Sequence, residues 1–182
     1  ATGAAARFNS PTSVATDGTN VYVADTFNHT IRKIVISSGV VTTLAGTAGV
    51  SGSTDATGAA ARFNVPYGVA EDGTNVYVAD GFYTVRQIVI SSGVVTTLAG
   101  TYNTSGSTDD TGAAARFSGL RHLSDDGAGN LFVADNYVIR KIVIATGVVT
   151  TFAGAAGQAG TTDATGAAAR FNAPAGVTVD GS

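Results

Sequence analysis

The pentapeptide Ala-Ala-Ala-Arg-Phe occurs four times in this 182-residue chain, and its spacing constrains the fold more than any other feature. The four arginines are 55, 54 and 54 residues apart, at Arg7, Arg62, Arg116 and Arg170. A fixed period of this length indicates a repeat architecture in which each copy is one supersecondary unit. Residues shared by all copies are therefore expected to hold the repeats together, and function is sought where the copies differ.

Composition favours short strands joined by turns and excludes several functional classes. The chain has 24 glycines, 3 prolines and no cysteine, so it has no disulfide, no thiolate zinc site and no cysteine nucleophile. Glu71 is the only glutamate, and long charged helices are not expected. Net charge is −3 with a pI near 5.1, whereas nucleic-acid-binding proteins usually carry a basic face. Nucleic acid is therefore not an expected partner.

The location of the protein is predicted from composition alone. No apolar run approaches the roughly 18–20 residues of a membrane span, so no span is predicted. Ser, Thr, Gly and Ala outnumber Lys and Glu, which is typical of secreted or cell-surface bacterial proteins. No signal peptide or initiator methionine is seen, so we expect a mature product, a processed piece or an excised segment.

Each repeat contains four segments with the character of β-strands. They are four to seven residues long, rich in Val, Ile, Thr, Tyr and Phe, and bounded by Gly, Asn or Asp. In the three complete copies they lie at 14–17, 20–25, 31–36 and 40–45, at 69–72, 75–80, 85–90 and 94–99, and at 123–126, 130–135, 139–144 and 148–153. Apolar residues fall on both faces, so the sheets are expected to be covered on both sides.

This pattern predicts an all-β fold of β-propeller blades, each with four antiparallel strands. Blade 1 is expected at about 10–46, blade 2 at about 65–100 and blade 3 at about 119–154, with the start of a fourth at 173–182. The prediction is thus three complete blades plus one extra strand, treated as a single segment. Propellers have four to eight blades, so three blades alone cannot close a ring.

The linkers between blades have a constant length. Each runs 16 residues from a glycine to the repeated arginine, as from Gly46 to Arg62. Thr57, Thr111 and Thr165 are interpreted as caps of a single helical turn. The alanines that follow allow close approach, and the phenylalanine is expected to fill the gap between blades.

Two repeated sets of charged residues are interpreted mainly as structural. An aspartate ends the second strand and an arginine starts the third in every copy, at Asp25 and Arg32, Asp80 and Arg86, and Asp135 and Arg140. We expect each pair to tie the turn to the blade, although an array of such pairs could also form a polyvalent binding face. Asp55, Asp109, Asp110 and Asp163 recur in the linkers. Ca²⁺ is conceivable there with help from main-chain carbonyls, but no cofactor is predicted.

The third repeat departs from the others in its first strand. It has Arg121 and His122 where the other copies have small or aromatic residues, and Asp125 and Asp126 follow on the same strand. Histidine is easily tuned to proton transfer or metal binding near neutral pH. These four residues are candidates for holding an anion or one ion, and the alternative is sequence drift in a tolerant loop.

The turn between the second and third strands shortens from copy to copy and carries aromatic residues. Its candidate binding residues are Phe27, His29, Phe82, Tyr83 and Tyr137. Variable loops on a rigid frame commonly carry binding, and aromatic residues are enriched at binding hot spots. The alternative is that these side chains pack over the blade edge.

The order of motifs resembles the NHL repeat. Its elements here are Pro-x-Gly-Val, Asn-Val-Tyr-Val-Ala-Asp, Asn28-His29-Thr30-Ile31-Arg32-Lys33-Ile34 and Val-Thr-Thr-Leu-Ala-Gly. The Asn-His pair that names the repeat is present only in the first copy, where Thr30 replaces the leucine. The resemblance covers the whole chain and implies a propeller of six blades, of which this chain would be half.

We interpret the chain as a non-catalytic binding or structural module that acts through protein contacts, including contacts with further repeats. No Gly-x-Ser-x-Gly elbow, P-loop or dinucleotide motif is present. One alternative is a lyase or hydrolase with a metal or anion in a central channel. Another is a self-assembling half-propeller that forms a six-bladed homodimer, as opposed to a segment of a longer array.

Overall fold

The computed structural model describes residues 2–180, which contain three β-sheets and short single-turn 3₁₀ helices. The first sheet contains β1 (Pro11–Thr16), β2 (Asn20–Asp25), β3 (Thr30–Val35) and β4 (Val40–Ala45) in that order. The second contains β5 (Gly68–Glu71), β6 (Asn75–Asp80), β7 (Thr84–Val89) and β8 (Val95–Gly100). The third has the order β10 (Leu120–Asp125), β11 (Asn130–Asp135), β12 (Val138–Val143), β13 (Val148–Gly154) and β9 (Asp110–Thr111).

Strands that follow one another in the chain are neighbours in each four-stranded sheet. The sheets are therefore meanders of hairpins, with antiparallel pairing from β1 to β4 and from β10 to β13. The predicted all-β fold with four antiparallel strands per repeat is confirmed. Part of the linker pairs with the fourth strand of the sheet that follows it. In the third sheet this pairing is between β9 and β13, and in the second it is a single bridge between Thr57 and Val94.

An aspartate holds the turn between the first two strands of each sheet. Asp17 Oδ1 accepts hydrogen bonds from the backbone N–H groups of Thr19 and Asn20, and Oδ2 accepts one from the Tyr22 hydroxyl. Gly18 has φ of +81°, a conformation that glycine adopts without steric cost. Asp72 makes the same bonds in the second sheet, and Asp126 accepts from the N–H groups of Ala128 and Asn130 in the third, where Phe132 replaces the tyrosine. The Asp-Gly signal in the sequence thus forms a side-chain-stabilised turn.

The glycine before each Ala-Ala-Ala-Arg-Phe segment and the first two alanines form a single 3₁₀ turn, as in Gly58–Ala60. The predicted capping by threonine side chains is wrong, since Thr57, Thr111 and Thr165 make no side-chain cap bond. Backbone groups take that place. The N–H of Gly58 donates to the carbonyl of Gly93 at 2.8 Å, and the Thr57 carbonyl accepts from Ala60. Because these amides are already paired with backbone carbonyls, they do not need the hydroxyl as an acceptor.

The described residues form two compact units, residues 2–81 with 86–96 and residues 82–85 with 97–180. The core of the first unit lies between successive repeats. Tyr22, Ile31, Phe63, Val76 and Ile88 belong to one fully buried apolar cluster. Each such large side chain contributes about 1.5–3 kcal/mol on burial. The predicted role of the repeated phenylalanine, to fill the gap between repeats, is confirmed for Phe63.

The second unit has a core of its own. Phe117, Leu120, Leu123, Leu131 and Ile142 are all fully or almost fully buried there. Leu120 and Leu123 lie on β10, so the strand that carries the exceptional Arg121 and His122 is anchored by apolar neighbours on both sides. The unusual polar residues are therefore displayed on a firmly packed strand.

The extra strand predicted at 173–182 is not formed over residues 173–180, and residues 181–182 lie outside the described part. The physical reason is the missing partner. In the complete sheets the first strand pairs with the second, as β1 does with β2. Residues 173–180 are followed by no second strand in the described chain, so nothing completes their ladder. They contact β10 instead, through Ser124 Oγ and the N–H of Val179 at 3.3 Å.

We expect the protein to lose stability in acid, because the turn aspartates become protonated. A hydrogen bond from Asn20 lowers the pKa of Asp17 well below its usual range, and hydrogen bonds lower the pKa of Asp72 and Asp126 despite the opposing effect of burial. A lowered folded-state pKa stabilises the fold above the unfolded-state pKa, and that contribution is lost as pH falls below about 4. Urea unfolding between about pH 4 and pH 2 should show a falling midpoint.

Asp17→Asn is the control for this acid effect, because the amide oxygen still accepts the turn bonds but no longer titrates. We expect the variant to lose less stability than the wild type over the same acid range. Equal losses in both proteins would contradict the assignment to Asp17. Burial raises the pKa of Asp80 to about 6. Its protonation therefore adds stability as pH falls from about 6 to about 4, which opposes the effect of the turn aspartates. The comparison is for this reason made below pH 4.

Candidate functional site

The repeated aspartate and arginine form buried ion pairs. Arg86 Nη1 lies 3.0 Å from Asp80 Oδ2, with both side chains fully buried, and Arg86 Nη2 lies 2.5 Å from Asp55 Oδ1. The guanidinium also stands 5.3 Å from the ring centre of Phe63, within cation–π range. Equivalent contacts are made in the third repeat by Arg140 with Asp135, Asp109 and Phe117, and in the first by Arg32 with Asp25 and Phe8.

The same aspartates bind the chain that follows the repeated phenylalanine. Asp80 Oδ1 accepts from the N–H of Asn64 at 2.7 Å, and Asp135 Oδ1 accepts from Ser118 and Gly119. Burial raises the pKa of Asp135, against the opposing effect of these backbone N–H groups. The carboxylates are thus engaged within the repeat. These contacts support the predicted role of the pair as a tie between turn and blade.

Two of the four linker aspartates that raised the question of calcium contact arginines. Asp55 and Asp109 bind Arg86 and Arg140, and Asp109 Oδ2 accepts from the N–H of Thr151 at 2.9 Å. A cation at these carboxylates would face a guanidinium. Among residues 2–180 no group of three or more His, Asp or Glu side chains is arranged to hold a metal ion.

Three of the four candidates lie on β10 and Asp126 follows it in the turn, and the four make separate contacts. The guanidinium of Arg121 lies 5.9 Å from the ring centre of Phe82. His122 Nδ1 donates to the carbonyl of Val177 at 3.0 Å, since that oxygen can only accept. Asp125 and Asp126 bind backbone N–H groups in the turn to β11, and Asp126 also binds the Asn130 side chain. The structure does not gather these residues around one ion.

Phe27 and His29 lie in the turn between β2 and β3. Phe27 is 56% exposed. His29 adopts φ of +57°, and its Nδ1 accepts the N–H of Val65 at 3.1 Å. Val65 itself has φ of +57°, an unfavourable conformation for a β-branched residue. His29 therefore helps to hold the strained entry into the next repeat.

We expect His29→Leu to destabilise the protein by about 1–2 kcal/mol, because the Val65 N–H loses its acceptor. His29→Asn, which supplies an amide oxygen, should cost less. Urea unfolding of the two variants provides the measurement. Equal stability of the leucine variant and the wild type would contradict the role given to His29.

Three predicted residues meet in one cleft of the second unit. Phe82, Tyr83 and Arg121 line a cavity of about 210 Å³. The two aromatic rings are edge-to-face, with centres 6.4 Å apart. Phe82 is exposed and has φ of +67°, a strained conformation for an aromatic residue. The cleft thus combines an aromatic surface with a cation held above it.

The remaining walls of this cleft were not predicted as site residues. They are Ser118, Gly119, Asn136, Ala173 and Pro174. Four of these closely follow a repeated Ala-Ala-Ala-Arg-Phe segment, which the sequence marks as a structural joint, and Asn136 is next to the predicted Tyr137. Tyr137 is not among the lining residues. No sequence signal marks these residues, because they reach the cleft through tertiary pairing, such as the hydrogen bond from the N–H of Leu120 to the Phe82 carbonyl.

Solved structures show which fold this arrangement belongs to. A protein of unknown function from Bacteroides thetaiotaomicron is 24% identical, with a TM-score of 0.78 over 95% of this chain and 43% of its own. An auxiliary nutrient binding protein from Bacteroides ovatus is 17% identical, with a TM-score of 0.68 over 93% and 43%. A chain of a nidogen/laminin complex is 16% identical, with a TM-score of 0.64 over 96% and 54%. These neighbours are β-propeller proteins.

The fold is that of β-propeller blades. The first, second and third sheets are accordingly called the first, second and third blades below. The chain spans only about half, or less, of the length of these neighbours. No protein-family model matches the sequence, and no curated protein is significantly similar to it. Within residues 2–180, no helix has both the length and the apolar character needed to cross a membrane.

Proposed function

We propose that this chain is a non-catalytic, NHL-like binding module, and that the cleft of Phe82, Tyr83 and Arg121 contacts its protein partner. The observation that carries the proposal is the cation of Arg121 beside the exposed Phe82 ring on a firmly packed strand. The residues common to all repeats are engaged in ion pairs and turns. The cleft instead presents Phe82, Tyr83 and Arg121, which lie where the repeats differ in sequence.

The chemistry of the cleft favours an acidic peptide segment. A guanidinium offers several donors to a carboxylate, and the aromatic pair offers apolar area at low entropic cost. Asn136 adds a polar side chain to the same walls, whereas the Ser118 hydroxyl already donates to Asp135. A cavity of about 210 Å³ accommodates one side chain and its flanking backbone rather than a folded domain.

We further propose an extracellular or cell-surface location in a bacterium. Composition supports this, as do neighbours described as auxiliary nutrient binding proteins and as extracellular domains of Bacteroides proteins. The NHL-like motif order supports further repeats as additional contacts. No specific observation favours the lyase or hydrolase alternative, in which His122 would hold a metal. Bound metal that is lost in His122→Ala would support that alternative.

A displayed library of random heptapeptides tests the proposed cleft. We expect selection on the wild-type chain to enrich peptides with Asp or Glu, and Arg121→Ala to weaken the binding of selected peptides by about 30-fold. Phe27→Ala, which removes a more exposed ring at the equivalent turn position of the first repeat, is the control and should leave binding unchanged. Failure to enrich any peptide, or equal binding to Arg121→Ala, would contradict the proposal.

A further inference from the structure

The repeated arginine of each linker uses only one of its side-chain nitrogens within its own repeat. Arg62 Nη1 donates to the carbonyls of Ala59 and Ala61 at 2.6 and 2.7 Å, and to the Thr47 hydroxyl at 3.2 Å. Arg116 makes the same three contacts in the next linker. In both arginines, Nε and Nη2 make no hydrogen bond with any other described residue, and both nitrogens are accessible to solvent. Each of these linkers therefore presents two adjacent N–H donors.

The Arg62 side chain is held firmly in place. The loop backbone covers its aliphatic part so closely that a Cβ added at Gly52 would lie 2.9 Å from the Arg62 Cβ. The Arg62 N–H donates to the Thr54 carbonyl, and the Arg62 carbonyl accepts from Arg86 Nη1 at 3.0 Å. Among the described residues, no carboxylate forms an ion pair with Arg62. Because the guanidinium is already positioned, little conformational entropy is lost when a ligand binds to it.

The third linker shows that the second nitrogen of this arginine takes an oxygen acceptor. All three linker loops close with the same backbone hydrogen bond, in which the N–H of Val50, Thr104 or Gln158 donates to the carbonyl three residues earlier. In the third loop, Arg170 Nη2 also donates to the Gln158 side-chain oxygen at 2.8 Å. The first loop has Val50 at this position, with 43% of the residue exposed and no oxygen on its side chain. The acceptor that Gln158 supplies in the third copy is therefore missing beside Arg62.

We propose that Nε and Nη2 of Arg62, called the Arg62 fork below, bind the carboxylate of an organic acid whose apolar part rests on Val50. Two parallel N–H donors on one edge of a guanidinium match the two oxygens of a carboxylate. A single negative charge suits this place better than two, because the Asp55 side chain of the same linker is 45% exposed and the chain has a net charge of −3. The Arg62 fork belongs to the first unit. This site goes beyond the function proposed for the Arg121 cleft, which belongs to the second unit.

Nuclear magnetic resonance of the complete ¹⁵N-labelled chain tests this site through the Nε–H signals of its arginines. During titration with sodium benzoate at constant ionic strength, we expect the Arg62 signal to shift and to saturate with a dissociation constant on the order of 10 mM. Acetate, which has almost no apolar part, should bind about 5-fold more weakly. Sulfate should also bind more weakly than benzoate, and chloride should leave the Arg62 signal in place.

The chain itself supplies the variants that close and open this site. Val50→Gln places beside Arg62 the acceptor that Gln158 supplies in the third linker, and it should weaken benzoate binding at Arg62 by about 10-fold. Thr104→Gln is the matched control, because it introduces the same amide at the same loop position of the next linker. It should leave benzoate binding at Arg62 unchanged. Gln158→Val should give Arg170 a saturable benzoate response that is absent in the wild type.

Three results would overturn the proposal. They are an Arg62 response that chloride reproduces or that does not saturate, unchanged benzoate binding by Val50→Gln, and tighter binding of sulfate or acetate than of benzoate. Backbone amide spectra of every variant confirm that it is folded. Arg121 gives an Nε–H signal of its own, so the response of the Arg62 fork and that of the proposed peptide cleft are measured independently. Failure of either site therefore leaves the result for the other standing.

Discussion

Arg86→Met is expected to destabilise the protein by about 3–5 kcal/mol, a loss comparable to the whole stability of many small domains. The substitution leaves the Asp80 carboxylate fully buried beside an apolar side chain, where the Asn64 N–H still donates to it but its cationic partner is gone. It also removes the bridge from Arg86 to Asp55 and the contact with the Phe63 ring. Urea unfolding at neutral pH gives the free energy of unfolding.

Two further variants separate the charge effect from the loss of packing. Arg86→Met combined with Asp80→Asn should be more stable than Arg86→Met alone, because the amide removes the buried charge and keeps an acceptor for Asn64. Arg62→Met should cost about 1 kcal/mol, since its guanidinium binds nearby carbonyls and the Thr47 hydroxyl. Similar losses in Arg62→Met and Arg86→Met would show that the buried ion pair has no special importance.

Gly46→Ala is expected to cost about 3–5 kcal/mol, which combines a strained backbone with a steric clash. Gly46 follows β4 with φ of +94°, and an added Cβ would lie 2.6 Å from the His29 carbonyl oxygen and 3.2 Å from the Phe63 ring. Neither neighbour can move freely, because one is backbone and the other is packed in the core. The measurement is again urea unfolding, supported by the thermal midpoint.

Gly18→Ala separates the two causes. Gly18 has a similar φ of +81°, but an added Cβ would meet no atom within 4 Å. Its cost should therefore be that of the backbone alone, about 1–2 kcal/mol. If Gly46→Ala proves no more harmful than Gly18→Ala, the close approach of Gly46 to the His29 carbonyl and the Phe63 ring is not a stability constraint.

Much of the fold could be predicted because its determinants are local. Alternating short apolar segments, Asp-Gly turns and a constant period predict antiparallel meanders without reference to distant residues. The threonine caps could not be judged in this way. The Thr57 side chain is not needed as a cap because the Gly93 carbonyl accepts from the N–H of Gly58, and Gly93 belongs to a later hairpin of the chain.

The candidate site was predicted only in part. Arg121, Phe82 and Tyr83 stood out as departures from the repeat, and they do meet in one cleft. His122, Asp125 and Asp126 stood out equally, yet each contacts a different group. Departure from a repeat identifies residues released from a shared structural role, but it carries no information on whether their side chains converge.

The sequence by itself determined the repeat, the four-stranded blade and the aspartate–arginine ties, because these recur with fixed spacing in every copy. Only the tertiary structure decided which repeated faces are covered and which remain exposed. Val14 and Val69 are the same residue type at the same repeat position, yet one is 62% and the other 2% exposed. Burial depends on the neighbouring repeat in space, and a residue's own repeat does not encode it.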